Sequence, residues 1–303
     1  MLLRHLYYFV TLAQEKHYAR AAKVCNVAQP TMSAAVHKLE EEFKVCLVVR
    51  GQRYVGLTAD GENVLQWGRR ILADYDGLLQ CLGSGGSGLT GRLRIGAIPT
   101  ALPVTPLLTT PFCDEHPSVR IDTVSMPSRE IISGLGAFSI DAGLTYLDDE
   151  IPQTVRAFEL YRERYQLLVP KGHRLAGEHS VSWEEAAGER LCLLNTDMQN
   201  RRVIDSIAAA AGVEIDAKVV SNSFVGLCSH VAHGGWASIV PQAFSSLTGN
   251  SRDLVFLDIG NPSEDRPIAL VVQDRTPQSP IASALIALAK STDMATRLSQ
   301  AHR

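Results

Sequence analysis

Ala28–Glu42 reads AQPTMSAAVHKLEEE. Taken as a helix, its apolar residues fall at Met32, Val36 and Leu39, with Phe43 next, a spacing of four, three and four that makes one buried stripe. The other face shows Gln29, Thr31, Ser33, Ala34, His37 and Lys38, short and polar and free of acid until Glu40. Pro30 suits a first helical turn, where its missing N–H costs nothing. Just upstream, Tyr18–Cys25 (YARAAKVC) reads as a shorter helix with Ala21, Ala22 and Cys25 inward, and Asn26–Val27 as a tight turn. Such a pair can present its second helix to the DNA major groove. The same pattern alone suits an ordinary helical hairpin equally well.

The flanks separate these readings. Leu3, Leu6, Phe9, Val10 and Ala13 give a preceding amphipathic helix, and Leu47–Thr58 (LVVRGQRYVGLT) is β-prone and broken at Gly51. Its Arg50 and Arg53 suit a winged hairpin that reaches phosphates or the minor groove. The DNA-contacting set expected from this is Arg20, Gln29, Pro30, Thr31, Ser33, His37, Lys38, Arg50 and Arg53. At this point the chain resembles the LysR-type transcriptional regulators. The matching residues run in order: Leu6, Phe9, Ala21, Ala22, Val27, Gln29, Pro30, Ser33, Leu39, Glu40, Leu47, Arg50, Leu57, Thr58 and Gly61. The resemblance is weaker after Gly91, where GRLRIGAIPT is its clearest stretch.

The resemblance implies an α+β multidomain fold. It has a winged helix-turn-helix (1–58), a linker helix and Gly/Ser linker (59–90), and a two-lobed α/β regulatory domain (91–303) similar to periplasmic solute-binding proteins. The first lobe is expected at about 91–161 and 267–303, the second at about 162–266. It also implies double-stranded promoter DNA and a small-molecule effector as partners, a homotetramer, and RNA polymerase as a further contact. Two positions depart from the family pattern. Ala28 stands where members usually have a capping Ser, and Ala34–Ala35 where an Arg often follows Ser33. Arginine is the commonest reader of guanine, so DNA shape should carry more of the specificity here.

Composition agrees. The 303 residues suffice for two or three domains, and 46% hydrophobic with 20% charged residues is globular usage. The net charge of −3 hides an asymmetry: residues 1–58 hold eight Lys/Arg against four Asp/Glu, the remainder 21 against 28. A basic front on an acidic body suits docking one end on nucleic acid. His5, Glu15 and Lys16 interrupt any leader-like apolar run, and no stretch approaches the roughly 18 apolar residues of a membrane span. A cytoplasmic protein without a membrane partner is expected. The six cysteines, Cys25, Cys46, Cys81, Cys113, Cys192 and Cys228, form no C-x-x-C pair and read as buried thiols.

Thr58 is a good N-cap for a helix to about Leu82. At about 1.5 Å per residue it is roughly 37 Å long. Val64, Gly68, Ile71, Tyr75, Leu78 and Leu82 make a near-heptad seam that predicts pairing with a second copy; packing on its own regulatory domain is the alternative. Gly83, Gly85 and Gly88 spell G-x-G-x-x-G, but after a helix and before a strand, the wrong context for a dinucleotide.

From Arg92 strands and helices alternate. Strands are expected at Leu93–Ala97, Val119–Ser125, Ile140–Thr145, Tyr165–Val169, Leu191–Leu194, Lys218–Ser221, Ala237–Val240, Leu254–Asp258 and Ile268–Val272. Helices are expected at Ala101–His116, Arg129–Leu135, Arg201–Ala211, Val225–Gly234 and Pro280–Leu298. Thr100, Thr196 and Ser223 each follow a strand and precede a helix, where free N–H groups favour anions; each alone also reads as a plain N-cap. By resemblance these positions line an effector cleft, with Arg129, Asp197, Met198 and Arg202 near enough to help. Cys228, His230 and His233 have zinc-like spacing, but a packed helix is favoured. No G-x-S-x-G, H-E-x-x-H or P-loop occurs, so no enzyme activity, cofactor or metal is expected. The rival readings are a redox-sensing regulator acting through cysteines, a small-molecule-binding protein, and a cytoplasmic enzyme.

Overall fold

The computed structural model describes residues 3–49, 51, 54–83, 88–147, 151–248, 253–260 and 265–300. The chain divides into two units, the first Met1–Gly88 with the short segments Gly136–Ser139 and Pro277–Pro280, the second Leu89–Leu135, Ile140–Thr276 and Ile281–Arg303.

The first unit is helical: α1 (Leu3–Glu15), α2 (Tyr18–Val24), α3 (Gln29–Phe43) and α4 (Ala59–Gly83). Leu6, Phe9, Leu12, Ala21, Met32, Val36, Leu39 and Leu47 form its core. The α2–α3 turn needs one left-handed residue, and Asn26 supplies it at φ 55°; asparagine tolerates that region better than most. The Val27 N–H then closes on the Ala22 carbonyl at 2.9 Å. Two expectations along α3 shift. Ala35, expected outward, is buried, and Phe43, expected in the stripe, is half exposed at the helix end. Beyond α3, Val48 and Leu57 make one antiparallel bridge, the base of the wing. Arg50 and Arg53 lie outside the described residues.

α4 has two halves. Thr58 caps it, its Oγ1 accepting the Gly61 N–H at 2.9 Å. Leu65 is buried in the helical core. Gly68, expected on an outer seam, instead faces α1: a Cβ there would stand 3.0 Å from Leu6 Cδ1 and 3.1 Å from Val10 Cγ2. Only past this close approach does the apolar stripe come free, with Ile71, Tyr75, Leu78, Leu79 and Leu82 all exposed.

The second unit holds a five-stranded sheet, a four-stranded sheet and a two-stranded pair. The first runs β2 (Val119–Ser125), β1 (Gly91–Ala97), β3 (Ala142–Tyr146), β11 (Arg266–Gln273), β4 (Val155–Glu163). β1 pairs in parallel with β2 and β3, and β11 antiparallel with β3 and β4. The helix α5 (Pro106–Glu115) and α6 (Ser128–Gly136) pack here. α6 can lie close because residue 143 is glycine; a Cβ there would stand 2.2 Å from Ile131 Cγ2. The second sheet runs β6 (Ser180–Val181), β10 (Leu254–Ile259), β5 (Tyr165–Pro170), β9 (Ser238–Pro241). A bridge from Leu191 to Ala237 brings the pair β7 (Leu191–Leu194) and β8 (Ala217–Ser221) alongside β9. α7 (Trp183–Ala187), α8 (Gln199–Ala210), α9 (Phe224–Gly234) and α10 (Ala243–Thr248) complete this lobe. The chain crosses between lobes at Arg164, between β4 and β5, and returns between β10 and β11.

Several elements differ from expectation: the helix expected at Ala101–His116 is a 3-10 turn, Leu102–Val104, followed by α5, and the short β6, α7 and α10 carry too few residues to show a period. β4 was read as connection because its alternation is masked by Arg156, Glu159 and Arg162, and its register to β11 shifts at Ile268/Ala269. The terminal helix breaks in two, α11 (Pro280–Ser291) and α12 (Met294–Gln300), since Asp293 caps the second piece by accepting the Thr296 N–H at 3.0 Å. No helix of the described residues is long and apolar enough to cross a membrane.

Candidate functional site

The first candidate surface is the outer face of α3. Gln29, Pro30, Thr31, Ala34, His37 and Lys38 are exposed and Ser33 is half-buried. His37 Nδ1 lies 3.2 Å from Glu40 Oε2. Lys38 has no ion-pair partner among the described residues. Arg20 is exposed on α2, but its guanidinium also donates to the Glu15 carbonyl at 2.6 Å, tying α2 to α1. Glu40 does more than its place in a family pattern suggests. Its Oε1 accepts the N–H groups of Leu47 and Val48 at 2.8 and 3.2 Å, so α3 itself positions the strand leading into the wing. Ala28 sits at the N-cap with extended backbone (φ −72°, ψ 148°) and offers no capping oxygen.

The second surface is a cavity of about 670 Å³ between the two lobes. Of the residues expected there, Thr100, Arg129, Asp197, Met198 and Arg202 line it. Thr196 and Ser223 are exposed and do not. The physical reason is local. The α8 N-cap is Met198, two residues past Thr196. Ser223 is a plain N-cap whose Oγ accepts the Gly226 N–H at 3.4 Å, and its neighbour Asn222 takes the lining position.

Two helices aim their N-terminal turns at the cavity, α6 through Ser128 and Arg129, α8 through Met198, Gln199 and Asn200. They come from opposite lobes, and the first N–H groups of each lack helical acceptors. Arg129 and Arg202 are exposed, one on each helix, and neither has an ion-pair partner among the described residues. A hydroxyl relay crosses the cleft. Thr145 Oγ1 donates to Ser128 Oγ at 2.8 Å, and Ser128 Oγ donates to Gln199 Oε1 across the lobes. Sequence reasoning missed Ser128, Gln199 and Asn222, since nothing local marks residues that meet only after folding.

Beneath the cavity, where the chain crosses between lobes, lies a buried polar cluster. Tyr146 Oη donates to Glu163 Oε2 at 2.8 Å. Asn200 Nδ2 lies 3.3 Å from Tyr146 Oη and 3.4 Å from Tyr165 Oη. Burial pushes the Glu163 carboxyl up to about 8, against the smaller opposing pull of Tyr146, Thr100 and Tyr165. Burial likewise raises Tyr146, Tyr161 and Tyr165 well above the usual phenol range.

The cysteines lie elsewhere, and the expectation of six buried thiols fails: Cys46, Cys81 and Cys113 are exposed, Cys25 and Cys228 half-buried, and Cys192 buried. None lines the cavity. Cys192 is buried, with its Sγ 3.8 Å from the Leu227 carbonyl, and desolvation pushes it up to about 11; Cys228 beside it is raised for the same reason. Cys228, His230 and His233 form no metal-binding cluster, and none is found among the described residues.

Comparison with known proteins sets these surfaces in a family. Residues 3–62 match the model of the bacterial regulatory helix-turn-helix protein, lysR family, and residues 86–293 that of the LysR substrate binding domain. The DNA-binding transcriptional dual regulator OxyR of Escherichia coli K12 is 29% identical over 297 residues, 96% of this chain and 94% of its own. The hydrogen peroxide-inducible genes activator of Haemophilus influenzae is 26% identical over 284 residues, 91% and 92% of the two chains. Among solved structures, a full-length OxyR variant from Pseudomonas aeruginosa superposes with a TM-score of 0.77 at 26% identity, covering 98% of this chain and 97% of that one. CbnR complexed with its target DNA shares the fold, with a TM-score of 0.71 at 22% identity over 96% and 99%. With its helix-turn-helix and its two-lobed second unit each matched in order, the chain belongs to the LysR family of bacterial transcriptional regulators.

Proposed function

We propose that this regulator grips duplex promoter DNA with α3 and the wing and changes that grip when a small organic anion fills the cleft between the lobes. The observation that carries the anion is the pairing, across a cavity of about 670 Å³, of two helix N-termini and two guanidiniums from opposite lobes that have no ion-pair partner among the described residues. Free N–H groups and the positive ends of α6 and α8 favour negative charge. A ligand held by both lobes selects one hinge angle, and only such differential affinity shifts a conformational equilibrium. Asp197 at the rim disfavours a second negative charge on that side. On the DNA side, Gln29, Thr31, Ser33 and His37 face base edges, while Arg20, Lys38, Arg50 and Arg53 serve phosphates. The exposed stripe Ile71, Tyr75, Leu78 and Leu82 on α4 pairs two copies, so that two recognition helices meet two half-sites. The division at 58/59 and 90/91, the tetramer, the RNA polymerase contact and the cytoplasmic location complete the reading.

The test uses full-length protein on promoter DNA with a panel of small mono- and dicarboxylates. One class should shift DNA affinity or footprint, and Arg129→Ala and Arg202→Ala should each weaken it by roughly tenfold, as loss of a charged hydrogen bond does. Wild-type affinity in both variants, or a response to apolar neutral compounds alone, overturns the anion reading. Gln29→Ala should change sequence preference by about 1–3 kcal/mol, whereas Lys38→Ala should weaken all sequences alike and lower the salt slope by about 1.

Redox sensing has one observation in its favour, the peroxide-inducible relatives. The thiolate is the reactive form; burial raises Cys192 and Cys228 and disfavours it there, while Cys46, Cys81 and Cys113 are exposed. A change in DNA affinity on adding hydrogen peroxide, absent in Cys192→Ser, would favour it instead.

A further inference from the structure

Met32, Ala35, Val36 and Leu39 are the buried residues of α3. At about 3.6 residues per turn, the residues that point away from them, within about 30° of directly outward, are Pro30, Ala34, His37 and Glu41. Pro30 and Ala34 carry no side-chain donor or acceptor. Glu41 belongs to the acidic run Glu40–Glu42 at the end of the helix, which a phosphate backbone repels. His37 is therefore the hydrogen-bonding side chain at the centre of this face, and it is 78% exposed.

The ring is held from within the protein. Glu40 Oε1 accepts the Leu47 and Val48 N–H groups at 2.8 and 3.2 Å, which stops the carboxylate from turning away. Its other oxygen, Oε2, lies 3.2 Å from His37 Nδ1. A carboxylate only accepts, so Nδ1 carries the hydrogen in this contact and Nε2 is left for the groove. In a neutral ring Nε2 is an acceptor and matches the amino group of adenine or cytosine. In a protonated ring it is a donor and matches guanine N7 or O6. We infer that His37 is a specificity-determining residue that reads one base pair in two senses, an amino group when neutral and guanine when protonated, with Glu40 as the positioning residue that fixes its ring. This rests on the docking of α3 proposed above and names what one of its residues recognises.

Base preference at that position then moves with pH, since histidine is the side chain that exchanges these two states near neutrality. The charged groups around the ring are Glu40 and Glu41, three and four residues further along the same helix. Lys38 is adjacent in sequence and so faces elsewhere. From α2, Tyr18 stands near Glu40; burial first and that carboxylate second raise its phenol, which stays neutral throughout. Bound DNA adds negative charge on the outer side, and opposite charge favours the protonated ring.

Selection from a random-sequence duplex library by the full-length protein, at pH 5.5 and at pH 8.5, tests this. Preferences are compared within each pool, so a uniform gain in affinity at low pH cancels. One position of the wild-type motif should move from adenine or cytosine at pH 8.5 to guanine at pH 5.5, by about tenfold in relative affinity. His37→Ala should lose preference there at both pH values. His37→Gln, whose amide holds a donor and an acceptor at any pH, should give one preference at both. Glu40→Gln keeps an oxygen for Leu47 and Val48 and turns an N–H towards Nδ1, which leaves the ring hydrogen on Nε2. It should select guanine at both pH values, which a merely structural loss would not produce. A wild-type motif that ignores pH, or a shift that survives in His37→Ala, overturns the inference. If Gln29→Ala alters the motif and His37→Ala does not, α3 still reads DNA and this inference alone falls. If neither alters a motif that the wild type selects, the docking of α3 falls with it.

Discussion

Gln29, Thr31, Ser33, His37 and Lys38 come from consecutive turns of one helix. The residues around the cleft run from Ile98 to Asn222 and meet only through tertiary structure, Ser128 bonding Gln199 across 71 positions. The first surface is set by covalent helical geometry and a local core, and its polar groups stay in water. The second is set by the angle between two lobes, and its polar groups range from exposed Arg129 and Arg202 to buried Thr100 and Asn200. A surface of the first kind reads a fixed target and cannot easily change shape. One of the second kind changes shape with that angle. Sensing and reading are thus divided between long-range and short-range structure within one chain.

The largest expected effect tests whether burial really governs the cleft. Glu163 ionises at about 4.5 when ordinary and about 8 in the fold. Between those values the folded chain keeps a proton that the unfolded chain releases. The contribution of Glu163 to stability is therefore full below pH 4.5 and is lost progressively as pH rises towards 8, with a slope of at most about 1.4 kcal/mol per pH unit. Glu163→Gln has no proton to lose, so the variant should gain on the wild type across that window. Urea midpoints at pH 5.5, 7 and 8.5, followed by the fluorescence of buried Trp183, read the difference. Parallel curves would mean that Glu163 is charged within the fold, and the contrast between the two surfaces would collapse.

The helical surface has one hidden long-range tie, and cutting it sharpens the comparison. Glu40→Ala removes the acceptor for two backbone N–H groups, Leu47 and Val48. Hydrogen bonds to a charged partner contribute about 1.5–3 kcal/mol, so the first unit should lose roughly 2–3 kcal/mol. Hydrogen exchange at the Leu47 and Val48 amides should speed up while the α1 amides stay protected. Protection unchanged at both would make Glu40 a surface residue paired only with His37.

What was legible in the sequence follows the same division. Met32, Val36 and Leu39 announce their burial by period alone, as does the long helix from Thr58. Gly68 misled because a glycine in an apolar seam looks the same whether it faces a second copy or α1; only the 3.0 Å approach to Leu6 distinguishes them. In the cleft, Thr100 was found from its place after a strand, since strand ends mark ligand sites in α/β units. Thr196 and Ser223 satisfied the same rule yet stand aside, because the rule locates a turn and not the direction of a side chain. Glu163 and Asn200 carried no signal at all. β4 was unread, and an acidic residue beside two arginines reads as solvated surface until the fold buries it.

The smallest effect concerns the one place where the helical surface breaks its own local rules. Ala28 occupies the α3 N-cap with the extended backbone a cap requires but no side-chain acceptor. Pro30, at the second helical position, has no N–H to offer, so Thr31 carries the first N–H that a capping oxygen could receive. Ala28 is exposed, so a serine there meets no packing or burial penalty. Ala28→Ser should therefore stabilise the first unit by up to about 1 kcal/mol, and the Thr31 amide should exchange more slowly than in the wild type. If α3 docks on DNA as proposed, the same hydroxyl would meet a phosphate, so binding should strengthen to a similar degree for all sequences, without a change in preference. A Thr31 amide that exchanges as before, with the α3 peptide equally protected, would show that the helix start is held by its tertiary contacts and not by its cap. The distinction drawn between a locally built surface and a tertiary one would then be weaker than α3 suggests.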